Sequence, residues 1–196
     1  MENTEKKMTA KKFWKDFQKN VCGNEELKKE WFHFKKFTVL IMDKIEQILK
    51  YDEDVATERE YFRVDLISYR ENNENEFLLN KLYNYTWNLE AAVEHENNSK
   101  TWMDEVIKLA HLSCDLRVVI GYLPLSEKKN QKEYLNKIAD ILNNKISAWK
   151  QTKTSGDFLI ILGDSSFGSS EQYIDNRCVY TPFLYSLQSN LFEEIV

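Results

Sequence analysis

The stretch Trp87–Asn97, W-N-L-E-A-A-V-E-H-E-N, decides how the chain folds. It begins apolar, ends in two carboxylates one residue apart, and stands before a polar turn and a helix. A strand sends residues i and i+2 to one face. Glu94 and Glu96 therefore project together, and His95 points the opposite way. Glu90 shares their parity further back. Carboxylates placed side by side repel, and each usually needs a cation close by to stay ionised. The end of this strand is either a metal site or an ordinary wet edge, and the functional reading depends on which.

Downstream, Asn97-Asn98-Ser99-Lys100-Thr101 offers helix caps. Trp102–Leu112 follows with Trp102, Val106, Leu109 and Ala110 on one face, and with Glu105 and Lys108 one turn apart. Leu116–Leu123, L-R-V-V-I-G-Y-L, is almost continuously apolar after its second residue, the pattern of a buried parallel strand. Strand, helix and strand make a βαβ unit. A second crossover helix runs from Ser126–Gln131 to about Lys150, and the strand Asp157–Leu162 completes it. Gly163–Ser170 reads as a Gly/Ser loop, and Tyr173–Tyr185 as one or two final strands.

Upstream, Arg59–Tyr69, R-E-Y-F-R-V-D-L-I-S-Y, reads as the first strand, rich in β-branched and aromatic residues. Asp65 sits in its middle. A charge there costs free energy unless it is paired, hydrogen-bonded or bound to a metal, and Arg63 on the same face is the plain partner. Arg70–Glu76 reads as a turn, and Phe77–Tyr85 fits either a short helix or a strand. Before Arg59, Ala10–Val21 is an amphipathic helix with Phe13, Trp14, Phe17 and Val21 in one stripe. Cys22-Gly23-Asn24 ends it. A second helix runs from Asn24 to about Lys50 with Trp31, Phe34, Ile41, Ile45 and Ile48 at helical spacing. Asp43 and Glu46 lie beside that stripe, and Tyr51–Glu58 is an acidic linker.

The pattern predicts a single α/β domain with a mixed sheet flanked by helices. N-terminal helices occupy 10–50, a central unit 59–123, and a helix–strand extension with a β-rich tail 126–196. Residues 1–50 hold 12 Lys and 8 Asp/Glu, a local +4, so the other residues carry −9 of the net −5. An acidic total disfavours strong nonspecific nucleic-acid binding, although a basic N-terminal region opposite an acidic site still serves. No apolar run approaches the ~20 residues of a membrane helix. The lysine-rich start lacks the apolar segment of a signal peptide. Cys22, Cys114 and Cys178 are widely spaced and form no metal-like pairing. They are expected as reduced thiols in a cytoplasmic protein.

Familiar phosphate-loop, dinucleotide, nucleophile-elbow and H-E-x-x-H signatures are missing. What remains is Asp65 on one strand, Glu94-His95-Glu96 ending the next, and a βαβ unit directly after. This order resembles the PD-(D/E)XK nuclease superfamily, whose core is a helix, a three-stranded meander, a crossover helix and a further strand. The resemblance spans about Glu25 to Leu123. Arg63-Val64-Asp65 stands at the family's aspartate on the second strand, and Glu94-x-Glu96 at its (D/E)-x-K on the third, in the E-x-E variant. Arg70–Tyr85 reads as an insertion, and the first meander strand is not evident.

The resemblance implies a restriction-like DNA endonuclease hydrolysing phosphodiesters with Mg²⁺ or Mn²⁺. Asp65 and Glu94 would hold the ion, with Glu46 from a helix extending the site. Glu96 would orient the attacking water. Lys108 enters because the family's lysine sometimes migrates to the crossover helix; its plain reading is a surface pair with Glu105. The implied partner is nucleic acid, DNA before RNA, with no membrane and with a homodimer as one arrangement for the tail. The alternative on the same scaffold is an inactive interaction or immunity-type protein whose acidic surface binds a basic partner.

Overall fold

The computed structural model describes residues 7–30, 33–71, 87–164 and 180–195. Its centre is a seven-stranded sheet whose spatial order follows the chain, β1 to β7. The strands are β1 (Ala56–Tyr61), β2 (Val64–Glu71), β3 (Trp87–His95), β4 (Leu116–Leu123), β5 (Asp157–Asp164), β6 (Thr181–Ser186) and β7 (Leu191–Glu194). β1, β2 and β3 form an antiparallel meander, β3, β4 and β5 run parallel, and β6 and β7 return antiparallel. The chain is thus an α/β protein with a mixed open sheet. Among the described residues, no helix is long and apolar enough to cross a membrane.

Each face of the sheet has its own helices because the parallel strands are apolar on both sides. On one face lie α1 (Ala10–Phe17), its continuation as a π turn (Gln18–Cys22), α2 (Glu25–Glu30) and α3 (Phe34–Leu49). Phe13, Phe17, Ile41 and Ile45 pack there with Leu66, Val93, Val118 and Ile120. Thr9 caps α1 by accepting the Lys12 amide, and Asp157 ties the helix to β5 by accepting the Ala10 amide at 2.8 Å. On the other face lie α4 (Trp102–Leu109), α5 (Gln131–Lys145) and the short α6 (Trp149–Thr152). Trp102, Val106, Ile138 and Trp149 pack there with Ile67, Ala92, Val119 and Ile160.

One glycine sets how closely α4 approaches the sheet. A Cβ on Gly121 of β4 would lie 2.7 Å from the Cβ of Trp102, inside any real contact. Trp102 is completely buried, so neither partner has room to yield. Gly121→Ala is expected to cost about 1–3 kcal/mol through overpacking, read as a lower denaturant midpoint at unchanged slope. An unchanged midpoint would mean that α4 is not seated as described.

The expected elements are found with informative differences. Arg59–Tyr69 is not one strand but a hairpin: β1 pairs with β2 through Arg59↔Leu66 and Tyr61↔Val64, leaving a two-residue turn at Phe62-Arg63. Both turn residues have positive φ, 47° and 65°, the backbone that two-residue hairpins require and that Asn-Gly usually supplies. Without those residues the turn leaves no mark in the sequence, and β1 and β2 read there as one strand. The predicted second helix is divided into α2 and α3, with His33 non-helical between them. The predicted helix ending at Lys150 stops at Lys145, where Ile146 turns extended. Cys22 is disulfide-bonded, which corrects the expectation of three reduced thiols, whereas Cys114 is free and buried. Spacing along a chain does not report proximity in space. The readings for 72–86 and 165–179 lie outside the described residues.

Candidate functional site

The ladder Leu66↔Val93, Ile67↔Ala92 sets Asp65 across from Glu94 at the open end of the β2–β3 pair. Residues directly opposite in an antiparallel pair share a face, and this face is the one α4 covers. Asp65 accepts the backbone N–H of His95 through Oδ2 at 2.8 Å. Glu94 is buried, with 3% of its side chain exposed, and its Oε1 lies 2.7 Å from Nζ of Lys108 on α4. Lys108 also pairs with Glu105 one turn before it and donates to the carbonyl of Arg63 at 2.8 Å. One ammonium therefore ties the β1–β2 turn, the end of β3 and the crossover helix together.

The charge balance here is uneven. Three acidic side chains, Asp65, Glu94 and Glu105, lie about Lys108, the one cation paired there among the described residues, and the ladder register places Glu60 across from Asp65 as well. Burial, reinforced by Asp65 and Glu105 and opposed by Lys108, pushes the Glu94 carboxyl up to about 8. Burial also raises Asp65, with Glu60 and Glu105 adding to it and the His95 amide opposing. Lys108 is raised by Glu105 and Glu94, against the effect of its own burial. In both groups burial outweighs the attraction of Lys108, so the protonated form is favoured relative to an exposed carboxyl.

The remaining candidates are placed differently. Glu96 follows the end of β3, and its carboxylate accepts the Asn98 amide at 2.7 Å, so it caps the next turn. Glu46 is on α3, on the opposite face of the sheet from α4. Arg59 donates to it through Nε at 2.9 Å and Nη2 at 2.7 Å, with Thr57 and Lys50 alongside. Although burial opposes it, bonds from Lys50, Arg59 and Thr57 bring its carboxyl down to about 2. Asp65, Glu94 and Lys108 are brought together; Glu46 is not among them. Arg63 does not pair with Asp65 either, because it forms the turn. Glu90 is the extra residue of a β-bulge facing Ser68 and Tyr69, and it is held by Tyr51 at 2.6 Å and Arg70.

His95 projects to the opposite face from Glu94, as the strand parity requires. Its Nε2 lies 2.8 Å from the Tyr122 hydroxyl, which lies 3.2 Å from that of Tyr180. Burial lowers its pKa to about 3, so it is neutral and structural. Two further participants, Glu105 and Glu60, carry little signal in the sequence. Glu105 was legible only as a helix neighbour of Lys108, and Glu60 belonged to a strand that had not been separated from β2.

Among the described residues, no group of three or more His, Cys, Asp or Glu side chains is spaced to hold a metal ion. Asp65 and Glu94 are two carboxyl side chains on one face of the sheet. That number suits Mg²⁺, which keeps several waters and takes one or two carboxylates plus substrate phosphate. No family model, curated protein or solved structure matches the chain.

Proposed function

We propose that the chain is a metal-dependent nuclease of the PD-(D/E)XK type, cleaving phosphodiester bonds in nucleic acid, DNA in the first place. The observation that carries this reading is the convergence of Asp65 on β2, Glu94 on β3 and Lys108 on the following helix. The order of helix, meander, crossover helix and parallel strand supports it. Asp65 and Glu94 would hold Mg²⁺ or Mn²⁺, which when bound supplies Lewis-acid polarisation of the phosphate and a lowered pKa for water. The His95 amide fixes the Asp65 carboxylate in place. Lys108 takes the part of the motif lysine in place of Glu96, its ammonium neutralising charge that develops on the phosphate. Glu105 positions Lys108 through their ion pair.

A second reading rests on the same ammonium. Lys108 lies against Glu94 and Glu105 at ion-pair distance, so the carboxylates are partly neutralised without a metal. An inactive scaffold that binds a basic partner would be built this way.

Calorimetric titration of Mn²⁺ and Mg²⁺, with plasmid nicking alongside, separates the two. The nuclease is expected to bind the metal and nick the plasmid. Asp65→Asn should lose both, and Glu46→Gln should keep both. Absence of metal binding by the intact protein at millimolar concentration would remove the catalytic reading and leave the interaction protein.

A further inference from the structure

The hairpin that the sequence concealed ends in Phe62-Arg63, and both side chains are exposed. Phe62 is 79% exposed, the most exposed of the large apolar residues described. Its one ring contact among the described residues is T-shaped with Tyr61, at 4.7 Å between centroids and 88°, which leaves a face of the Phe62 ring open. Arg63 is exposed and makes no ion pair among the described residues, although Arg59 in the same hairpin pairs with Asp43 and Glu46, and Lys108 beside the turn pairs with Glu94 and Glu105. Two residues in left-handed backbone, at φ 47° and 65°, cost free energy that a Gly or Asn would avoid. The turn is nonetheless held at a defined place, because Lys108 grips the Arg63 carbonyl at 2.8 Å.

That place is beside the candidate site. Phe62 is three residues from Asp65, so their Cα atoms are at most roughly 10 Å apart. Phosphates on one strand of a duplex are spaced about 3.4 Å along the axis, so the tip lies within a few nucleotides of a phosphate held at Asp65 and Glu94. An open aromatic face stacks on any base, and a guanidinium contacts the backbone phosphate without reading sequence. A base stacked inside a duplex offers no face to a ring standing on a protrusion, whereas an unpaired base does.

We propose that Phe62 and Arg63 form a nucleic-acid grip that selects an unpaired nucleotide next to the scissile phosphate. Phe62 stacks on the base and Arg63 pairs with an adjoining phosphate. The substrate class is then single-stranded nucleic acid, or a duplex with a flap, bulge or frayed end, in preference to intact duplex. This rests on the proposed nuclease reading and deepens it. Both residues are positioning residues, because neither touches the reacting atoms.

The test is fluorescence anisotropy of a labelled single-stranded DNA oligonucleotide and of the matching duplex, in EDTA so that nothing is cleaved. The intact protein should prefer the single strand. Phe62→Ala should weaken single-strand binding about tenfold with unchanged thermal stability, and Phe62→Trp should restore it. Arg63→Ala should weaken it and flatten its salt dependence. In Mn²⁺, Phe62→Ala should raise KM for a flapped substrate with kcat nearly unchanged. Equal binding of single strand and duplex, or an unaffected Phe62→Ala, overturns the grip even in a protein that cleaves. Phe62-dependent binding in a protein that takes up no metal keeps the grip and removes the nuclease. No oligonucleotide binding by the intact protein removes the grip.

Discussion

Glu94→Gln is expected to lose cleavage and to become more stable than the native protein at alkaline pH. Gln keeps the volume and removes the ionisable group that Asp65 and Glu105 oppose. Loss of a direct ligand should weaken Mn²⁺ at least about 100-fold, since even residues behind a ligand are worth 10–100-fold. The pH effect follows from linkage. The folded protein holds the Glu94 proton up to about 8, whereas the unfolded chain releases it near the ordinary carboxylate value of about 4.3. Between these values the folded state binds more protons, so stability falls as pH rises. The contribution is fully present below about 4.3 and is lost as pH passes through about 8. The melting temperature of the native protein should therefore drop between pH 5 and 8.5 relative to that of Glu94→Gln. Mn²⁺ should raise the native melting temperature more at pH 8.5 than at pH 6, because ion and proton compete for one carboxylate. Parallel pH profiles of the two proteins would show that Glu94 titrates normally.

Arg117→Ala should be the most destabilising substitution in the sheet. Arg117 is fully buried in β4 and has no ion pair among the described residues. Its guanidinium instead donates to the carbonyls of Leu112 at 3.3 Å, Thr152 at 2.9 Å and Gly156 at 2.8 Å. It also lies over the rings of Trp149 and Phe158, 5.2 Å and 5.4 Å from their centroids. These bonds join the end of α4, the end of α6 and the approach to β5, so one side chain closes the α4–α5 face. Removing it strands buried carbonyls at about 1–3 kcal/mol each, in addition to the lost packing. A total near 4 kcal/mol, on the order of 10 °C for a chain of this length, is expected in thermal melts. Arg117→Lys should recover only a fraction, because an ammonium cannot span the three carbonyls as a planar fork does. A shift below about 1 kcal/mol, the scale of a single net hydrogen bond, would show that water or a neighbouring donor replaces the guanidinium.

These two residues mark where legibility begins and ends. Glu94 was readable from period alone: a strand ending A-A-V-E-H-E must send Glu94 and His95 to opposite faces, and the structure separates them so. The apolar runs at Val118–Ile120 and Leu159–Ile161 announced the parallel centre, and the helical spacing of Trp102, Val106 and Leu109 announced the crossover. In Leu116–Leu123, however, Arg117 was the residue that broke the pattern. Its burial became intelligible only with the three carbonyls in place.

Periodicity by itself marked β2 to β5 and the crossover helix, which face of each is apolar, and that Asp65 and Glu94 stand on strands, though it ran β1 into β2 and α2 into α3. These are local properties, carried by residues two to four apart. The tertiary structure alone decided which charges meet. Glu46 lies on the opposite face of the sheet from α4 and belongs to Arg59, Glu96 caps its own turn, and Lys108 reaches Glu94. The same holds for the Phe62-Arg63 turn and for the disulfide at Cys22. Each depends on residues distant in sequence brought to within a few ångströms, and no spacing along the chain encodes that distance.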